Sequence, residues 1–438
     1  MITLSLDFGT SSVKACLVDD TGRLLCKGVS SPYDYQLLSG ERVELLEKDL
    51  IRAMELAVAK LDPDLLKKVE CLCYDTFSPS LVMMDDEGNL LGSQIITHLD
   101  RRSRSYSAVV DQVFGNEAYM NIAGFLPFAG GCSLMTMLWF KDHRPEAFAK
   151  TKHIGHLTTY LHYLFTGHFA IDRVNASMTG VYNTVKDNGW SKDIQKAFEL
   201  PTEAFEEILT PGTILGELKP YWAEKLGVKA GLPVALGTND MAAAQVGSGN
   251  RTSGSILNSA GSSDMIGILT NVPRVDPSYY LRCAADDGLW QMYATTAGGF
   301  AVDWFYDQFC KELTDKNDYF ALIASVIEER LGNGKAKFWP YLSGDRQSLR
   351  KRTGAFTNLT LGTTREDMLC AMMCGIQEVL TKPVDIARES ITMQPVIKIT
   401  GGMVNDTYMK LKKAYFPGFE FEEVQNGSIR GNALLIKG

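Results

Sequence analysis

No segment of the sequence has the Gly-x-x-x-x-Gly-Lys-Ser/Thr spacing of a P-loop, and no Gly-x-Gly-x-x-Gly turn opens a strand-turn-helix unit. No apolar run approaches the roughly 18 residues of a membrane-crossing helix, so no membrane partner is expected. The opening MITLSLDFG lacks the basic and apolar regions of a secretion signal, and a cytoplasmic location follows as an expectation. No Lys/Arg-rich stripe offsets the net charge of -8, which disfavours nucleic acid and anionic lipid as partners. Histidine is scarce, with six residues, all between His98 and His168. The nine cysteines are scattered from Cys16 to Cys374, mostly in apolar runs, and no second Cys/His pair follows Cys71 and Cys73 at zinc-finger spacing. They read as reduced core residues.

What is present is an ordinary globular composition, 45% hydrophobic and 22% charged over 438 residues, long enough for two domains. Ile2 to Phe8 reads as a strand that breaks at Gly9 and resumes from Val13 to Val18, with a third strand through Leu24 to Lys27. Helical periodicity runs from Glu47 to Leu61, a strand follows at Val69 to Tyr74, and a hairpin is signalled between Leu81 and Leu91. Met135 to Leu164 has a helical pattern, with Trp139, Tyr160 and Leu164 as core candidates, and Pro201 to Pro220 reads as a loop-rich connection. Leu232 to Leu236 forms a strand leading through Gly237-Thr238-Asn239-Asp240 into a helix from Met241 to Val246. The segment Gly247 to Ser253 is the expected hinge. Strands followed by helices make this an α/β chain.

Beyond the hinge the sequence repeats its own opening. Ser255 to Ile268 carries an apolar strand, a Gly261-Ser262-Ser263 turn and a second apolar strand, as Leu4 to Lys14 does around Gly9-Thr10-Ser11. A third glycine turn, Gly401-Gly402, follows a strand and precedes a helix. Such turns let backbone N–H groups approach a phosphate, with Ser and Thr hydroxyls as further donors and Lys14 as a nearby positive charge. Phosphoryl transfer also needs a magnesium ion and a carboxylate to accept the attacking hydroxyl's proton. Asp7 closes the first strand, where it would hold magnesium through water. Asp240 stands between strand and helix, where it reads either as the base, also near the metal, or as a plain helix N-cap.

These residues resemble those of the FGGY carbohydrate kinases, which include xylulokinases, ribulokinases, gluconate kinases and glycerol kinases, and the resemblance extends over nearly the whole chain. Asp7-Phe8-Gly9-Thr10-Ser11 is similar to that family's first phosphate turn, and Gly237-Thr238-Asn239-Asp240 with Gly247 to the segment carrying its base. His98-Leu99-Asp100-Arg101-Arg102 resembles a Trp-x-Asp-x-Arg segment near the sugar, and Leu164 to Gly167 with Asp172 fits a further landmark. In the second half, Gly261-Ser262-Ser263, Gly298-Gly299 before Trp304, Pro340 to Arg346, Gly401-Gly402 with Asn405, and Gly431-Asn432-Ala433 resemble family turns. Departures stand at His98, Thr136, Asn358 and Cys374.

The resemblance implies two ribonuclease-H-like domains of the actin-like ATPase type, 1–246 and 247–438, with ATP and sugar meeting in the cleft between them. It implies Asp240 as base, Asp7 and Asp240 toward magnesium, and a phosphate and nucleotide set of Gly9, Thr10, Ser11, Ser12, Lys14, Gly261, Ser262, Ser263, Gly299, Asp303, Gly401, Gly402 and Asn405. Thr76, Ser78, Asp100, Arg102 and Asn239 are the residues expected at the acceptor, a small sugar or polyol of the pentulose or hexulose class. The resemblance alone points to a homodimer. The rival readings are a sugar- or ATP-binding sensor without turnover and an actin-like ATPase switch.

Overall fold

The computed structural model describes every residue except Ser93, Ser343, Arg346, Gln347, Ser348, Arg350, Lys351, Lys437 and Gly438. Two residues of the Pro340 to Arg346 resemblance, Ser343 and Arg346, thus lie outside the described residues.

Two sheets carry the architecture, and they share one plan. In the first, Ile2–Phe8 pairs antiparallel with Ser12–Asp19, which pairs antiparallel with Val29–Pro32. On its other side Ile2–Phe8 runs parallel to Cys71–Thr76, which runs parallel to Pro233–Ala235. In the second sheet Ile256–Ala260 pairs antiparallel with Ser263–Thr270 and that with Trp290–Ala297, while Val396–Thr400 and then Glu420–Glu423 continue the sheet in parallel. A core of three antiparallel strands beside two parallel ones recurs in both sheets, with Ile214–Glu217 and Tyr280–Cys283 added at their edges, and this is the duplication that the repeated Gly-Ser/Thr turns announced.

The strand interiors are apolar because both sheet faces are covered. Leu4, Leu6, Phe8, Leu72 and Tyr74 are fully buried, and Tyr74 meets Phe8 and Phe165 edge-on with ring centroids 6.4 and 5.7 Å apart. A further five-stranded antiparallel sheet, containing Arg42–Leu45, Ile95–Thr97, Ser80–Met84 and His153–His156, is built into the first half and brings its loops toward the cleft. All nine cysteines are free thiols.

Several expected elements are displaced. The third strand is Val29–Pro32 rather than Leu24 to Lys27, where Leu24 makes only an isolated bridge to Val18. The strand expected at Val69 to Tyr74 runs from Cys71 to Thr76. The helical pattern from Met135 to Leu164 is divided into Leu134–His143, Pro145–Ala149 and Leu157–Thr166, with strand His153–His156 between. Pro145 cannot continue the first helix, and β-branched Ile154 finds a sheet edge in Ser80–Met84. Trp139 is half-buried and stacks on Arg102, 5.0 Å from the ring centroid. Two family departures are accommodated locally. Asn358 sits at φ 59°, a left-handed conformation that asparagine tolerates much as glycine does. Thr136 is buried with its Oγ1 3.2 Å from Ser103 Oγ.

Candidate active site

Two turns of matching construction face each other across a cleft of about 430 Å³. In the first, Gly9 N–H donates to Ser12 O at 3.1 Å, and Thr10 and Ser11 project into the cleft. In the second, Gly261 N–H donates to Ser263 O at 3.0 Å, and Gly261, Ser262 and Ser263 line the opposite wall. Gly298 and Gly299 back this second turn, their N–H groups donating to Ser262 O at 3.1 Å and to Gly261 O at 2.9 Å. The third turn, Gly401, has φ 115°, and a Cβ there would stand 2.3 Å from Ala260 O, so only glycine fits. Beside it a second cleft of about 490 Å³ is lined by Gly299, Val302, Asp303, Phe320, Met373, Gly402 and Asn405. Asn405 also caps the helix Asp406–Tyr415, accepting from Tyr408 N at 2.9 Å, and Asp303 is paired with Lys316 at 2.9 Å.

Asp240 lies at the first turn of the helix Asp240–Gly247, on the wall of the larger cleft. The cap itself is Asn239, whose Oδ1 accepts from Met241 N and Ala242 N. Asn239 Nδ2 then donates to Asp240 Oδ1 at 2.8 Å, and Met241 N donates to the same oxygen at 2.7 Å. Burial first, then repulsion from Asp7, raises the Asp240 pKa to about 6, while Met241 N–H, Arg282 and Lys14 work the other way. Asp240 is therefore a carboxylate at neutral pH whose affinity for a proton exceeds that of an ordinary aspartate.

Asp7, next to last in its strand, accepts at Oδ2 from Lys14 Nζ at 3.2 Å and from Ser428 Oγ at 2.9 Å. The Asp7 charge raises the Lys14 pKa against the lowering effect of burial. Directly across the parallel ladder stands Asp75, a fully buried carboxyl with its pKa pushed well up by burial and then by Asp7 and Asp240. Asn432 Nδ2 donates to Asp75 Oδ2 at 2.6 Å and also lies 3.1 Å from Ser5 Oγ and from Leu6 O. Among the described residues no three His, Cys, Asp or Glu side chains converge as a metal cage. The carboxylates at Asp7 and Asp240 still suit a magnesium ion carried in with phosphates, since that ion is commonly held by one or two carboxylates, substrate oxygens and water.

The acceptor side needs correction. Asp100 and Arg102 do not border the cleft: they are 2% and 4% exposed at the side chain and form a buried ion pair at 2.8 Å that extends to Glu44. Asp100 Oδ2 also accepts from Val43 N, so the pair braces the small sheet, while His98 and Leu99 from the same segment reach the cleft. Thr76 is buried in its strand and does not line the cleft, whereas Ser78 does. Ser78 Oγ donates to Asn175 Oδ1 at 2.6 Å, and that oxygen also faces His156 Nδ1 at 2.9 Å. Asn175 in turn donates to Asp172 Oδ2 at 2.6 Å, and Asp172 Oδ1 accepts from Thr238 Oγ1 at 2.8 Å. This buried chain connects the Ser78 loop to the strand just before Asp240. Asn239, expected to touch the acceptor, borders the cleft but commits its side chain to the cap and to Asp240.

Asp75, Ser428 and Arg282 were not foreseen, and Asn432 only as part of a turn resembling the family's. The signal for Asp75 was an aspartate inside an apolar strand, a position that needs a special partner. An aromatic wall of Phe77, Phe125, Phe128, Tyr280 and Tyr293 was also unforeseen, because its members come from both halves.

The sequence matches the FGGY family of carbohydrate kinases, N-terminal domain, across residues 2–247. It is 25% identical over 446 aligned positions to the xylulose kinase of Bacillus subtilis (strain 168), covering 99% of this chain and 87% of that one. It is 23% identical over 387 positions to the gluconokinase of the same organism, covering 85% and 74%. Among solved structures, gluconate kinase from Lactobacillus acidophilus superposes with a TM-score of 0.89 at 20% identity, covering 100% of this chain and 89% of that one. Plasmodium falciparum glycerol kinase with ADP superposes with a TM-score of 0.83 at 19% identity, covering 99% and 88%.

Proposed function

The chain belongs to the FGGY family of carbohydrate kinases, and from that premise we propose that it transfers the γ-phosphoryl group of ATP to a hydroxyl of a ketose-sized sugar or polyol in the 430 Å³ cleft. The observation that carries this reading is the division of labour at the start of the helix Asp240–Gly247. Asn239 takes the capping role, which leaves Asp240 facing the cleft as a carboxylate with a raised pKa. In this reading Asp240 accepts the proton of the attacking hydroxyl as the oxygen bonds to phosphorus, and ADP leaves.

Thr10, Ser11, Ser12 and Ser263 donate to phosphate oxygens, with Lys14 as the adjoining charge. The second cleft, with Gly299, Asp303, Gly402 and Asn405, takes the nucleoside end. A magnesium ion bound with the phosphates would face Asp7 and Asp240 and neutralise developing charge. Residues 1–246 are the acceptor and base unit, and 247–438 the nucleotide unit. A pentulose is the acceptor to which the xylulose kinase relatives point, with a hexulose as its near neighbour in size.

The test is ADP release across a panel of pentuloses, hexuloses, sugar acids and polyols. One compound should stimulate release strongly, and Asp240→Asn should lower kcat by roughly 10²- to 10⁴-fold with ATP affinity retained in calorimetry. Near-normal turnover by Asp240→Asn would remove Asp240 as base. Tight ATP binding with no stimulating compound would favour the sensor reading.

A further inference from the structure

The cleft wall contains a cation that the transfer chemistry above leaves unused. Arg282, in strand Tyr280–Cys283 at the edge of the second sheet, is 4% exposed and borders the same cleft as Asp240. Its Nε donates to Gln291 Oε1 at 2.9 Å, its Nη1 lies 3.5 Å from Met178 Sδ, and its Cζ stands 3.9 Å from the centre of the Tyr293 ring. Each of these partners is neutral. Nη2 is buried and has no hydrogen-bond partner among the described residues. A guanidinium stays charged in a protein, so a buried one with a spare donor and no bonded anion is unfavourable unless a ligand completes it. Burial accordingly pulls the Arg282 pKa down, with Tyr293 and Asp240 offsetting part of the effect.

Sheet register says which end of the cleft this cation serves. Ser263, at the phosphate turn, pairs with Ala297, whereas Arg282 pairs with Gln291, itself opposite Leu269. Leu269 is six residues beyond Ser263, roughly 20 Å along the strand at about 3.3 Å per residue. An arginine side chain recovers less than half of that. The guanidinium lies over Tyr293, which pairs with Gly267, four residues or roughly 13 Å along the strand from Ser263, and so beside Met178 and Tyr293 rather than at the Gly261–Ser263 turn.

We propose that Arg282 binds a carboxylate on the acceptor, so that the substrate is a sugar acid of ketose size, an aldonate or ulosonate, with its carboxylate at Nη2 and its reacting hydroxyl at Asp240. This rests on the kinase reading for the hydroxyl end alone; the carboxylate end is a matter of binding. Arg282 and the aromatic wall then select the acceptor together, the rings covering the carbon chain and the guanidinium fixing its orientation.

The test begins without nucleotide. The full chain is titrated in a thermal-shift assay with sodium salts of five- and six-carbon aldonates and 2-ulosonates, each against its neutral alditol or ketose. The same panel is then run for ADP release with wild type, Arg282→Met and Arg282→Lys. At least one acid should raise Tm where its neutral counterpart does not, the shift should vanish in Arg282→Met and survive in part in Arg282→Lys, and KM for that acid should rise about 30-fold in Arg282→Met, well beyond any change in KM for neutral acceptors. Absence of any acid-dependent shift, equal acid binding by a folded Arg282→Met, or preference for the neutral counterpart would overturn the inference. An Arg282-dependent shift with no turnover of any compound would instead fault the kinase reading and leave the carboxylate site standing.

Discussion

Asn239 and Asp240 divide two tasks that a single aspartate at a helix start would have to combine. The amide of Asn239 offers an oxygen to Met241 N and Ala242 N and an N–H to Asp240 Oδ1, so Asp240 shares only Met241 N with the cap and is oriented by its neighbour. Two substitutions separate these duties. Asn239→Ala removes both and should lower stability by about 1 kcal/mol in denaturant titrations along with kcat. Asn239→Asp keeps a capping oxygen but loses the donor and adds a like charge, so kcat should fall while stability changes less. Equal stability loss in the two variants would count against this division.

A second residue-scale consequence concerns His156, fully buried with Nε2 2.8 Å from Ser133 Oγ and Nδ1 2.9 Å from Asn175 Oδ1. Burial lowers its pKa from 6.5 to about 4, so the unfolded chain takes up a proton there at a higher pH than the folded one. Stability from the neutral ring is fully present above pH 6.5 and drains as pH falls toward 4. The gap in unfolding free energy between wild type and His156→Gln should therefore narrow by roughly 3 kcal/mol over that range. Asp172, raised to about 6 by burial, acts in the opposite direction, and comparing the two proteins at each pH cancels it. A pH-independent gap would mean that His156 is not held neutral.

At the scale of elements, the helices Asp240–Gly247 and Gly427–Leu435 pack backbone against backbone. A Cβ on Gly247 would meet Gly427 O at 1.8 Å, and one on Gly431 would meet Ala243 O at 1.9 Å. Glycine here allows backbone-to-backbone packing, as in other small-residue helix crossings. Gly431→Ala should cost at least about 3 kcal/mol, near the upper end of overpacking effects, and reduce kcat because the same helix holds Asp7 and Asp75. An unchanged melting curve would contradict the crossing.

The sequence made some of these elements legible and hid others for identifiable reasons. The two Gly-Ser/Thr turns and the strand into Asp240 were readable because each is a local signal of turn chemistry and periodicity. The strand His153–His156 was not, since its four residues inside a helical pattern gain a sheet only through Ser80–Met84, far away in sequence. Asp100 and Arg102 were misassigned to the acceptor for the same reason. Their partner Glu44 comes from another strand, and nothing local says that the pair faces inward.

On the scale of the whole molecule, the two halves are not closed units. The helix Gly427–Leu435 follows the second sheet in sequence but lies against the first: Ser5 Oγ donates to Ile429 O at 2.8 Å, and Asn432 reaches Asp75. Residues 1–246 expressed alone would leave Asp75 buried without its amide and would expose the face covered by Ile429 and Ala433. That fragment should aggregate or melt well below the full chain, and adding a peptide of residues 424–436 should recover part of the difference. A fragment as stable as the parent would show that the helix is dispensable to the first half.

The same helix gives synthesis a direction. Asp75 emerges from the ribosome 357 residues before Asn432, an interval of roughly 20 to 70 s at about 5–20 residues per second. Throughout that interval the nascent first half holds Asp75 without Asn432, and Asp7 without Ser428. The finished arrangement around Asp7 and Asp75 thus arrives as a late event of translation, and a ribosome that stalls before residue 428 releases a chain in which neither has its donor from that helix.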